Sequence, residues 1–182
     1  LNIPNSFSQE FLISTNYTLT KIESAEIENF YKNVNDQIDE TKIYLVDQDN
    51  NNLAEFKVFF ESYDNDGEVW EQSKTKLDDI NKIIKVKIHH CACYCDTEIF
   101  YWLVTDKGNW VSLPIIQMED FEFTFSRQDY IFSKSRRNTI ELYNFQDELI
   151  KESENSKPKV VRKSESILKT YTWDGNSIKE LK

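Results

Sequence analysis

The chain has 182 residues, 39% of them hydrophobic and 14% aromatic, enough for one domain that buries about 70% of its unfolded surface without staples. Lys and Arg number 22 against 32 Asp and Glu, a formal net charge of −10. Long-range electrostatics therefore oppose nucleic acid and anionic membranes and favour a basic protein partner. No run of roughly 18 apolar residues could form a transmembrane helix, and no basic stretch followed by an apolar run forms an intact signal peptide. The first residue is Leu1 and not Met, which reads as an exported protein, periplasmic or at the cell surface, whose leader has been removed or trimmed.

In chain order, Phe7, Phe11 and Ile13 offer a short element for packing. Over residues 20–38, Ile22, Ala25, Ile27, Phe30, Tyr31, Val34 and Ile38 recur at three and four, with Glu23, Glu26 and Glu28 between them. That spacing predicts an amphipathic helix, capped by Thr20 or Ser24, lying over one face of a sheet. A hairpin follows, with strands over 42–47 and 53–62 joined by Asp49-Asn50-Asn51-Asn52, where Asn suits the left-handed backbone of a tight turn. Residues 63–72 read as an acidic loop, and 73–82 as a short helix or an extended crossing.

The most apolar stretch is 83–117, and it holds all three cysteines and both histidines. In its first strand Ile84, Val86, Ile88, His90, Ala92 and Tyr94 share one face, while Lys85, Lys87, His89, Cys91, Cys93 and Cys95 share the other. The second, about 98–105, is apolar on both sides, as an interior strand covered on both faces would be. Asp106-Lys107-Gly108-Asn109 supplies a turn. Pro114 cannot donate a ladder hydrogen bond, so it marks a strand end, a bulge or an edge within 109–117.

Alternation resumes with Phe121, Phe123 and Phe125, continues through Tyr130-Ile131-Phe132, and turns at Lys134–Asn138 into a strand about Ile140 and Leu142. Residues 146–158 read as a flexible internal connection. A long final strand over 160–173 and a turn at Asp174-Gly175-Asn176 lead to a closing hairpin. The closing Tyr171-Thr172-Trp173-Asp174-Gly175 resembles the terminal hairpins of small exported bacterial β-domains, a resemblance that implies no particular function. The expected fold is α+β: a single domain over 1–182, mainly an antiparallel meander, curled or partly closed, with one N-terminal amphipathic helix packed on it.

His89, Cys91, Cys93 and Cys95 are the sharpest chemical candidates, because zinc takes thiolate and imidazole. Same-face neighbours on one strand stand about 6.5–7 Å apart, whereas zinc needs its ligands about 2.0–2.3 Å from one point. The spacing is also not that of the usual C-x2-C knuckle. The expectation is three free thiols, and a cysteine nucleophile lacks a glycine-rich elbow or helix N-terminus to lower its pKa. Asp64, Asp66 and Glu68 form a calcium candidate, oxygen ligands at alternating loop positions. Read as a calcium-binding helix-loop-helix, that loop would put Ser73 where the bidentate glutamate belongs, and the loop from Asp47 would put Val58 there. No phosphate-cradling, nucleophile-elbow or zinc-protease motif occurs. Paired carboxylates for glycoside hydrolysis are defined by distance across a cleft, which sequence does not show. The expectation is a non-catalytic acidic binding module acting on a protein partner, such as an inhibitor, an immunity-type protein or a cell-surface accessory domain, with no cofactor. The alternatives are a hydrolase of unrecognised type and a calcium- or zinc-stabilised structural domain.

Overall fold

The computed structural model describes residues 11–22, 40–59, 64–73, 75–91, 95–119, 124–133, 136–150 and 159–181. Along the chain come β1 (Leu12–Ile13), β2 (Tyr17–Ile22), β3 (Glu40–Asp47), β4 (Asn52–Phe59), β5 (Asp64–Gln72), β6 (Ile80–Cys91) and β7 (Cys95–Thr105). There follow β8 (Trp110–Ser112), β9 (Ile116–Glu119), β10 (Thr124–Phe132), β11 (Thr139–Ile150), β12 (Lys159–Trp173) and β13 (Ile178–Glu180). All pairings are antiparallel.

Ile83 and Ile84 are successive residues of β6, and both are fully buried. Successive strand side chains point to opposite faces, so the sheet that holds them must be covered on both sides. That sheet runs β1-β5-β6-β7-β8, with β9 also on β7. On one face Ile83, Ile99, Tyr101 and Leu103 pack with Tyr130, Phe132, Ile140, Leu142, Tyr171 and Trp173 of the sheet β10-β11-β12-β13. On the other, Ile84, Val86, Ile88 and Val104 pack with Ile43, Leu45 and Phe56 of the sheet β2-β3-β4. The result is three stacked antiparallel layers with two hydrophobic cores, one on each side of β6 and β7.

This corrects the α+β expectation. Among the described residues there is no helix, and the strands form three open sheets in place of one curled or partly closed meander. Thr20, Lys21 and Ile22, expected to start the helix, belong to β2 and pair with Tyr44, Ile43 and Lys42. The local pattern there is period two: Tyr17 and Leu19 pack against the core while Thr18 and Thr20 are exposed. β3 supplies the ladder partner that decides between the two periods, and its sheet covers the face assigned to the helix. Residues 23–38, the rest of the expected helix, lie outside the described residues.

Other expectations meet the structure strand by strand. The acidic segment 64–72 is not a loop but β5, hydrogen-bonded to β6 over its whole length. The first central strand ends at Cys91, and Cys95 starts the next one. Pro114 does interrupt pairing: β8 and β9 flank it, both on β7, and its carbonyl accepts from the Tyr130 hydroxyl at 3.1 Å. Asn50, with φ of 61°, and Gly108 and Gly175, with φ of 81° and 93°, adopt the left-handed backbone at the expected turns. Residues 146–150, assigned to a flexible connection, continue β11; residues 151–158 lie outside the described residues. No helix of the described chain is long and apolar enough to cross a membrane.

Candidate functional site

Lys85 interrupts the apolar run of β6, and its side chain faces the core beneath β10. There its Nζ donates to Asp129 Oδ2 at 2.8 Å, and the Tyr101 hydroxyl donates to Asp129 Oδ1. The ammonium also lies 5.4–5.7 Å from the ring centroids of Tyr101, Phe11 and Trp70, within cation–π reach of each. Burial, reinforced by the Asp129 carboxylate, pushes the Tyr101 hydroxyl well above its ordinary pKa. Tyr101 therefore stays a donor, and both oxygens of Asp129 are occupied. The cluster joins the central sheet to the β10–β13 sheet, with one donor held on each Asp129 oxygen. Chemically it is a fastening.

A second polar gathering lies at the corner where β6 begins. Asp78 accepts from Arg137 Nε at 3.0 Å and Asn138 Nδ2 at 2.7 Å, which hold its carboxyl below the usual range. The Asp78 amide donates to Asn138 Oδ1, and Trp173 Nε1 donates to the Asp78 carbonyl, both at 2.8 Å. Asp79, Ser133 and Asn138 all have positive φ, 60°, 53° and 57°, a backbone state that costs a non-glycine residue about 1–2 kcal/mol unless local bonds support it. Thr75, Lys76, Leu77, Asp78, Ser133 and Arg137 line an open depression of about 450 Å³ there. The Arg137–Asp78 pair is solvent-exposed, so it contributes little energy by itself.

The sequence candidates fall on the central sheet. Asp64, Asp66 and Glu68 are alternate residues of β5, in register with Cys91, His89 and Lys87 of β6, and stand about 6.5–7 Å apart along the strand. His89 is bonded through Nδ1 to the Thr97 hydroxyl at 2.8 Å. Cys91 of β6 and Cys95 of β7 are direct cross-strand partners, and Cys93 lies outside the described residues. For Asp64, Asp66, Cys91 and Cys95 the description covers the backbone alone. Among the side chains described, no three His, Cys, Asp or Glu gather about one point as metal ligands would.

Sequence reasoning missed a third feature, the long edge of β12. β13 pairs with β12 only at Tyr171, Thr172 and Trp173, and the Leu181 amide adds one bond to the Thr170 carbonyl. From Lys159 to Lys169, β11 is the only described strand on β12. Residues 162–169 are exposed without alternation, Ile167 and Leu168 at 49% and 47%. The signal in the sequence was length: fifteen strand residues against a closing hairpin of three.

Compared with known proteins, the chain matches no protein family, no curated protein and no solved structure. The reading of its function rests on its own geometry.

Proposed function

We propose that the chain is a non-catalytic binding module that takes a protein partner as an added strand on the outer edge of β12. The observation that carries this is that edge, along residues 159–169 of which β11 is the only described strand that pairs with β12. The backbone groups of such an edge are a template for an extended segment of another chain, with the ladder giving affinity and alternate side chains giving specificity. Four cations, Lys159, Arg162, Lys163 and Lys169, stand on β12 against Glu165. Charges of this kind on an edge oppose pairing with a second copy and so favour a different partner. With Glu141, Asp147 and Glu148 on β11, the two-strand ribbon is formally neutral, 4 − 4 = 0. The field at long range is then set by the rest of an acidic chain, which steers a basic protein toward it.

The direction of the backbone groups supplies the test. Ser133 N donates to Thr139 O, which aims the odd residues of β11 at β10 and the even ones at β12. Gln146 and Glu148 therefore bond Ser164 and Arg162, and Lys163 between them turns its amide away from β11. Lys163→Pro removes a donor from the outer edge and none from the β11 ladder. In affinity capture from the native organism's extract, the unaltered chain should retain one basic protein in stoichiometric amount, released at high salt. Lys163→Pro should lose it while keeping the same urea midpoint. A blank capture, or equal retention by the proline variant, overturns the proposal.

A further inference from the structure

The hairpin of β6 and β7 sets two cysteines opposite each other, and the ladder fixes what kind of pair they make. Leu113 N donates to Tyr101 O, and Thr105 N to Asn109 O, in line with the β7–β8 register. Odd residues of β7 therefore aim their backbone groups at β8, away from β6. From the other side, Ser14 N donates to Val69 O, which turns Val69 away from its partner Val86. Even residues of β6 then bond β7, and odd ones bond β5. Both routes make Cys91 and Cys95 a non-hydrogen-bonded pair, with Cα atoms about 4.5 Å apart. That lies at the near end of the disulfide window of about 4.4–6.8 Å. Two residues inward, His89 and Thr97 are a pair of the same kind on the same face. Their side chains meet at 2.8 Å.

We infer that Cys91 and Cys95 form a cross-strand disulfide when the chain is oxidised, with a low-molecular-weight disulfide as the oxidant. One cysteine thiolate attacks the disulfide, forming a mixed disulfide and releasing one small thiol. The other thiolate attacks the mixed disulfide at the protein sulfur and releases the second. The two cysteines lose two protons and two electrons in all, and one disulfide becomes two thiols. Cys93 keeps its thiol. The sequence expectation of three free thiols assumed a single strand running through Cys95; the end of β6 at Cys91 and the antiparallel start of β7 at Cys95 remove its basis. Because each step is a thiol–disulfide exchange, the pair switches with the thiol poise around it.

The test equilibrates the full chain with glutathione and glutathione disulfide over a range of ratios. Free thiols are alkylated, the bound ones reduced and labelled with a second reagent, and each position read by mass spectrometry. The inference expects a loss of about 2 Da in the intact chain, the first label on Cys93, and the second on Cys91 and Cys95. Cys93→Ser should keep that loss with the same dependence on the glutathione ratio. The first label on all three cysteines at every ratio overturns the inference. So does a bridge that includes Cys93, or stoichiometric zinc held by the cysteines when the protein is incubated with zinc alone.

Discussion

Tyr101→Phe isolates the fastening between the central sheet and the β10–β13 sheet. The ring is 1% exposed, and phenylalanine fills the same space, so only the hydroxyl is lost. A hydrogen bond to a charged acceptor contributes about 1.5–3 kcal/mol. Asp129 keeps Lys85 at 2.8 Å and has a quarter of its side chain exposed, so water can reach the orphaned oxygen. The lower part of the range applies, about 1.5–2 kcal/mol. With a urea slope of about 2 kcal/mol/M, the midpoint should fall by about 0.8–1 M at unchanged slope. Lys85→Met removes the other donor, and the double variant should show a coupling of at least about 0.5 kcal/mol, because both act on one carboxylate. A midpoint shift below about 0.25 M for Tyr101→Phe, or single effects that simply add, would refute the reasoning.

Two further outcomes follow from the layers and the turns. Leu45→Ala and Ile140→Ala each open a cavity at a fully buried site in a different core and should each cost about 2–5 kcal/mol. Sharing no partner, they should add within about 0.5 kcal/mol in chemical denaturation; strong coupling would mean that the central sheet does not separate two cores. Asp174 is held well below the usual carboxylate range by Lys179 and by the Ser177 and Asn176 amides. The unfolded chain takes up its proton first, so this contribution is present above about pH 4 and is lost as pH falls toward the folded value. Asp174→Asn should flatten the fall of Tm with pH below about 4, and an unchanged profile counts against the assignment.

Central features of the sheet were legible because they depend on neighbours in sequence. Two-sided apolarity in 98–105 required cover on both faces, and Asn50, Gly108, Gly175 and Pro114 act where their own backbone limits place them. The helix reading failed at Thr20–Ile22 because a short apolar pattern fits both periods, and only the presence of β3 selects the strand. The acidic segment became β5 for a similar reason. Its carboxylates are poor strand formers alone, but β6 offers a full row of ladder partners. Lys85 was placed on a mixed face, yet nothing local pairs it with Asp129, which lies on a strand of another sheet.

From its own residues the sequence determined a β-rich chain with a doubly apolar centre, well-placed turns and an acidic balance. These follow from alternation, from backbone limits at Gly, Asn and Pro, and from charge. The tertiary structure alone decided that three sheets stack, that Tyr101, Lys85 and Asp129 meet, that Cys91 faces Cys95, and that β12 outruns its neighbour. Each of these depends on which strand lies beside which and in what register, and register is set by contacts between segments far apart in the chain.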